Sequence, residues 1–160
     1  GSGTSVLDAT GYVTARRQAT VSAKITGKVR TLLIEEGQRV AAGEVLATLD
    51  DAEARAEVAL RKAQVDAARA GLAEIQSALA NAERELERQR ELEARKLISA
   101  SVLDATRTQA EALRARLASQ QSQVKVTDEA LLAARVQLDN TIVRAPFAGV
   151  VTVRRPSPVR

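Results

Sequence analysis

The stretch Val58–Leu86, VALRKAQVDAARAGLAEIQSALANAEREL, decides the architecture. Val58, Val65, Leu72, Leu79 and Leu86 recur at every seventh residue, and three places after each stand Arg61, Ala68, Ile75, Ala82 and Gln89. Apolar residues at the first and fourth places of a heptad form the seam of a coiled coil, since 3.5 residues per turn keep them facing one partner. A second seam runs through Leu103, Ala110, Leu117, Val124, Leu131 and Leu138, with Thr106, Leu113, Gln120, Thr127 and Ala134 three places on. Between the seams, Leu97-Ile98-Ser99-Ala100-Ser101 breaks the repeat, and either Ser99 or Ser101 with Asp104 is suited to cap a new helix. From Asp51 to Asn140 there is no Pro, one Gly (Gly71) and 22 Ala, so the intrinsic preference is helical. Two heptad helices on either side of a short connection fold back antiparallel. Arms of roughly 40 to 45 residues make a hairpin about 60 to 70 Å long.

Outward from the hairpin, both flanks read as β structure. Ala19, Val21, Ala23 and Ile25 alternate with polar residues, as do Val13 and Ala15 before them, which is the period of a strand buried on one face. Gly27, Gly37 and Gly43 then punctuate short β-rich runs at Lys28 to Ile34, Gln38 to Val40 and Glu44 to Leu49, with tight turns expected at Glu36-Gly37 and Ala42-Gly43. Asp50 followed by Glu53 has the form of a capping box at the start of the helical region. After Asn140 the β pattern returns in Thr141 to Arg144 and Phe147 to Val153. Placing Gly149 on Gly27 puts Val151 on Val29, Phe147 on Ile25 and Val143 on Val21, so the two flanks read as halves of one pseudo-repeated module. A hairpin whose ends leave and re-enter one module must have its two feet close together.

The expected organisation is therefore a lead-in at 1–10, β structure at 11–50, and a hairpin at 51–140. Within the hairpin the reading is helix 51–97, tip 98–101 and helix 102–139. A further β segment at 141–153 and a tail at 154–160 complete the chain. Gly1-Ser2-Gly3 without an initiator Met reads as a vector-derived start, and no apolar run reaches the length of a membrane span.

Composition narrows the functions. The 160 residues include no His, Cys, Met or Trp, and Tyr12 and Phe147 are the only aromatics. Without imidazole or thiol, Ser/His/Asp catalysis, thiolate nucleophiles, disulfides and Cys-based zinc sites are excluded. No pair of carboxylates is placed by the sequence into a cleft, which argues against acid/base catalysis. The net charge is +4, yet Asp51 to Asn140 holds 14 basic and 15 acidic residues, so the basic excess sits in the ends. Runs such as Glu83-Arg84-Glu85-Leu86-Glu87-Arg88 alternate sign, unlike the one-sided basic stripe of a nucleic-acid helix, and no aromatic platform is present there for bases. A nucleic-acid partner is not expected.

Two runs carry a family resemblance. Ala19 to Val29 followed by Glu36 to Leu46 resembles the first half of a lipoyl or biotinyl-like domain, and Thr141 to Val151 resembles the opening of its second half. Two such halves split by a heptad hairpin resemble the periplasmic adaptors, or membrane fusion proteins, of Gram-negative tripartite efflux and secretion systems. The resemblance implies an α+β fold in which a long coiled-coil hairpin interrupts a partial lipoyl-like β-sandwich. It also implies a non-enzymatic protein without a cofactor, because the carrier Lys of true lipoyl domains falls where the helical insertion begins at Asp50-Asp51. The implied partners are a TolC-type outer-membrane channel, an inner-membrane transporter and further copies of the adaptor in a ring, a hexamer in the full-length protein. The implied location is the periplasm, attached to the inner membrane.

Adaptors that dock on TolC-type channels carry at the tip an Arg, a Leu four residues on and a Ser seven beyond it, often followed ten later by an Asp. Arg88, Leu92 and Ser99 stand at these spacings, and Gln109 departs at the fourth. Each has a plainer role open to it: Arg88 can pair with Glu85 or Glu91, Leu92 falls off the seam because Glu93 is the next seven-step position, and Ser99 can be a helix cap. Two other readings remain at this point: a lipoyl-type carrier domain with a coiled-coil spacer, and a plain coiled-coil scaffold.

Overall fold

The structure is a computed structural model that describes residues 19–22, 25 and 27–152. The lead-in at 1–10, the strand positions Val13, Ala15 and Ala23, and the tail at 154–160 lie outside the described residues. The chain is α+β, with strands β1 (Thr20–Val21), β2 (Val29–Leu32), β3 (Arg39–Val40) and β4 (Val45–Leu49), helices α1 (Ala52–Ala94) and α2 (Ala100–Asp139), and strands β5 (Ile142–Arg144) and β6 (Gly149–Val151). It divides into a β unit, 1–53 with 138–160, and a helical unit, 54–137.

The β unit contains two three-stranded sheets, ordered β1-β6-β3 and β2-β4-β5. In the first, β1 runs parallel to β6 (Thr20↔Val150) and β3 antiparallel to it (Arg39↔Val150), so strands from opposite ends of the chain share one sheet. In the second, β4 pairs antiparallel with both β2 and β5. Val21, Val40, Leu46, Ala145 and Val151 form the buried cluster, with Ile34 and Val143 packed against it. Val21 and Val143, matched in the expected repeat, both reach this core, from different sheets. The pairing of Val29 with Val151 is broken: β6 lies between β1 and β3 and buries Val151, whereas β2 has β4 as its one described neighbour and all four of its residues are exposed.

Gly37 and Gly43 take φ of 83° and 82° in the two expected turns, a region that costs a residue with a Cβ. Gly149 is required for a different reason, since a Cβ there would overlap the carbonyl oxygen of Ala19, the residue before β1. The two feet of the hairpin are joined inside this unit, where Leu49 N–H donates to the Thr141 carbonyl at 2.7 Å and Thr48 faces Ile142. Asp50 Oδ1 accepts from Ala52 N–H at 3.2 Å and so caps α1. The reciprocal half of the capping box is not made with Asp50 N–H, because that group donates to the Lys28 carbonyl at 2.8 Å. Strand pairing takes the donor that Glu53 would have used.

In the helical unit every seam position of both series is buried or half-buried. Val65, Ala68, Ile75, Leu79 and Leu86 are the buried residues of α1, and Leu103, Ala110, Thr127, Leu131 and Ala134 those of α2. Two ion pairs cross between the helices, Arg69–Asp128 at 3.3 Å and Arg114–Glu83 at 3.2 Å. Both are centred on the same point of the chain, between Ile98 and Ser99, as an antiparallel hairpin with a single register demands. Gln120 adds a third link, donating from Nε2 to the Ala68 carbonyl at 2.9 Å. It passes beside Gly71, where a Cβ would lie 3.1 Å from that nitrogen.

Taking Val58 and Leu103 as first places of their heptads, all four ion-pair residues stand at the fifth place and flank the seam on one side. The other flank carries shallow grooves lined by Ala78, Asn81, Glu85, Ala105 and Gln109 in one stretch, and by Gln64, Ala67, Gln123, Val126 and Ala130 in another. One flank is therefore charged and cross-linked, and the other is rich in alanine and amides.

Candidate interaction site at the hairpin tip

The tip differs from the expected helix–98–101–helix layout. α1 stops at Ala94, short of Leu97, and α2 begins at Ala100. Lys96 is the cause: it takes φ of 59°, the left-handed conformation that ends a helix. Lys96 N–H donates to the Glu93 carbonyl at 2.8 Å and Leu97 N–H to the Leu92 carbonyl at 2.9 Å. These two bonds make a Schellman motif, with Lys96 where Gly is usual. Ser99 starts α2, its Oγ accepting from Val102 N–H at 3.3 Å, so the N-cap role belongs to Ser99 and not to Ser101. Asp104, the other half of the Ser101 alternative, accepts instead from Arg107 Nη1 at 3.0 Å.

Ile98, between these two caps, turns inward onto the cluster of Leu86, Leu103 and Ala110, with Ala82 alongside. Leu97 is left outward at 67% exposure, the most exposed large apolar side chain among the described residues. Val102, on the first turn of α2, is 45% exposed.

The three residues singled out by spacing fall around this turn. Arg88 is 65% exposed and pairs with Glu85 at 3.0 Å, one of its two expected partners. At such exposure the pair contributes at most about 1 kcal/mol and leaves the guanidinium free to exchange partners. Leu92 is half-buried, one turn beyond Arg88 on the same face of α1, and Glu93 beside it is half-buried too. Counted in the heptad of α1, Arg88 and Leu92 fall on the alanine and amide flank, as does Val102 counted in that of α2. Gln109 lines a groove of that flank. Ser99 stands across the turn with its hydroxyl engaged by the cap. No hydrogen bond joins Arg88, Leu92 and Ser99 to one another among those of the described residues. Sequence reasoning missed Lys96, Leu97 and Val102. The signal for Leu97 was the Leu97-Ile98 pair, because a sharp turn points adjacent side chains apart and only one of them can enter the seam.

Among the described residues no group of His, Cys, Asp or Glu is arranged to hold a metal ion, and no helix is long and apolar enough to cross a membrane. Gln89, at a seam position beside Arg88, donates to Glu85 at 2.9 Å while its Oε1 is buried without a hydrogen-bond partner among the described residues. Nothing in the tip resembles a reaction centre; what it offers is shape, a helix-end turn and a few exposed side chains.

Known proteins share this arrangement. The family profile described as "RND MFP, barrel-sandwich hybrid domain" matches residues 17–155. Multidrug resistance protein MdtA of Klebsiella pneumoniae subsp. pneumoniae is 34% identical over 149 residues, covering 93% of this chain and 33% of its own. MdtA of Escherichia coli O45:K1 is 32% identical over the same length. The chain thus spans about a third of the curated relatives it matches. Among solved structures, MacA from Actinobacillus actinomycetemcomitans superposes with a TM-score of 0.78 at 25% identity, over 86% of this chain and 42% of that one. The membrane fusion protein Spr0693 from Streptococcus pneumoniae R6 shares the fold, with a TM-score of 0.58 at 20% identity, over 82% and 48%. The split β unit, the heptad hairpin between its halves and the match across 17–155 agree: the chain belongs to the RND membrane fusion proteins, the periplasmic adaptors of efflux systems, and carries their barrel-sandwich hybrid region and helical hairpin.

Proposed function

We propose that this chain is the channel-facing part of a periplasmic adaptor that links an inner-membrane pump of RND type to a TolC-type outer-membrane channel. The reading is carried by one observation: the hairpin ends in an ordered, doubly capped turn, with Arg88 and Leu92 on one flank of α1 and Ser99 at the start of α2. Arg88 supplies a planar donor for carbonyls or carboxylates at a partner's helix ends, Leu92 an apolar contact, and Ser99 holds the turn that presents both. The role is mechanical and not enzymatic. Copies of the adaptor stand side by side in a ring, a hexamer in the full-length protein, with their tips on the channel, and the protein works in the periplasm attached to the inner membrane. The relatives named multidrug resistance proteins support drugs as the class of cargo.

The carrier reading is not favoured, because the point where a carrier Lys would stand is taken by Asp50 capping α1. The test is Arg88→Glu in the full-length adaptor. We expect drug efflux to be lost in a complementation assay while the circular dichroism of the hairpin is unchanged. Efflux at the wild-type level in that variant would refute the docking assignment.

A further inference from the structure

The ten residues Ala94 to Leu103, which form the end of the hairpin, contain two cations, Arg95 and Lys96, and no carboxylate. Both cations are exposed, and neither makes an ion pair with a described residue. They immediately precede Leu97, which projects from the turn at 67% exposure, with Val102 exposed at 45% on the first turn of α2. An apolar side chain so exposed gains nothing for the fold of this chain, since the seam beneath it is already filled by Ile98. Its backbone is nevertheless fixed by a two-bond Schellman motif on one side and the Ser99 cap on the other. A knob held this firmly loses little conformational entropy when it is buried by a partner.

From this geometry we propose that Leu97, with Val102 exposed on the first turn of α2, is the apolar anchor of the docking surface, and that Arg95 and Lys96 set its charge preference. The occupant is the periplasmic end of the outer-membrane channel, presenting an apolar pocket with an acidic rim. The inference rests on the docking reading and deepens it: Arg88 and Leu92 lie on the flank that Val102 continues, whereas Arg95, Lys96 and Leu97 stand at the end of the hairpin itself. Charge complementarity selects an acidic occupant, because two exposed cations with no ion-pair partner among the described residues repel a basic one and steer an acidic one. It also disfavours a second copy docked tip to tip, which would bring Arg95 and Lys96 of both copies together.

The test measures binding of this 160-residue chain to the source organism's purified TolC-type channel in detergent, across a salt series, with circular dichroism as the control for helicity. Leu97→Ser is expected to weaken binding roughly tenfold or more, as burial of an interface anchor implies, with the salt dependence unchanged. Leu97→Met should retain most of the affinity. The double reversal Arg95→Glu/Lys96→Glu is expected to weaken binding by about tenfold at low salt and to flatten the salt dependence. If Leu97→Ser and the double reversal bind like the unaltered chain while Arg88→Glu does not, the end-on anchor is refuted and the docking reading stands. If the unaltered chain does not bind the channel, the docking reading falls and takes the anchor with it. Loss of self-association in the tip variants, with channel binding retained, would assign the surface to a contact between copies and overturn the proposal.

Discussion

Lys96 is the one non-glycine among the described residues with a left-handed backbone. A residue with a Cβ in the left-handed region is disfavoured by roughly 1 to 2 kcal/mol, and Lys96 stands there because both bonds of the Schellman motif require it. Lys96→Gly removes that cost while giving the unfolded chain more freedom, an opposing effect of about 0.5 to 1 kcal/mol. The expected net result is a gain in hairpin stability of up to about 1 kcal/mol, read from the denaturant midpoint of the helical signal. A loss of stability would mean that the ammonium group contributes more than the strain removes. No sequence rule locates this residue, because the usual mark of such a cap is Gly and Lys is among the good helix formers. That is why α1 reads as continuing to Leu97, three residues past its actual end.

At the scale of elements, the heptads were fully legible. Every position of the two seams is covered, because one helix buries its stripe on the other and needs nothing remote to do so. What the period could not show is how the polar seam members are accommodated. Gln120 reaches across to the Ala68 carbonyl, and Gly71 leaves room for it. Alone, Gly71→Ala would gain about 1 kcal/mol of helix propensity, but its Cβ would meet the Gln120 amide at 3.1 Å and crowd that hydrogen bond. We therefore expect Gly71→Ala to gain less in the native background than in one already carrying Gln120→Ala. Thermal or chemical unfolding of the four members of this double-mutant cycle would yield the coupling, on the order of 0.5 to 1.5 kcal/mol. Additive effects would mean that the amide simply swings aside. The tip trio illustrates the complementary limit. Spacing singled out Arg88, Leu92 and Ser99 as candidates, but the presentation of each side chain follows from the caps, which depend on Lys96 and on which hydroxyl is used.

At the scale of the whole molecule, the β unit was legible as two related runs and not as two sheets. Alternation at Val21 and Val143 is local and visible, whereas the pairing of β1 with β6 joins segments separated by the entire hairpin. The exposure of β2 is the main consequence: Leu32 is 59% exposed on a strand with one edge unpaired among the described residues, and Val29 and Leu33 are exposed near it. Apolar free edges recruit other strands, and natural proteins blunt them with charge. Leu32→Lys is accordingly expected to reduce concentration-dependent association of this chain in sedimentation velocity, without loss of helical signal. Association unaltered by the substitution would clear the β2 edge of that role. The two unlike flanks of the hairpin have a mechanical consequence. A pair of rods stitched together by Arg69–Asp128 and Arg114–Glu83 along one side, and faced with small side chains along the other, does not flex equally in all directions. Opening the stitched side stretches ion pairs, while folding toward the grooved side meets mostly alanines and amides, with Glu85 and Val126 among them. The two flanks therefore resist bending unequally, by the modest amount that two half-exposed ion pairs supply, about 1 kcal/mol each at most.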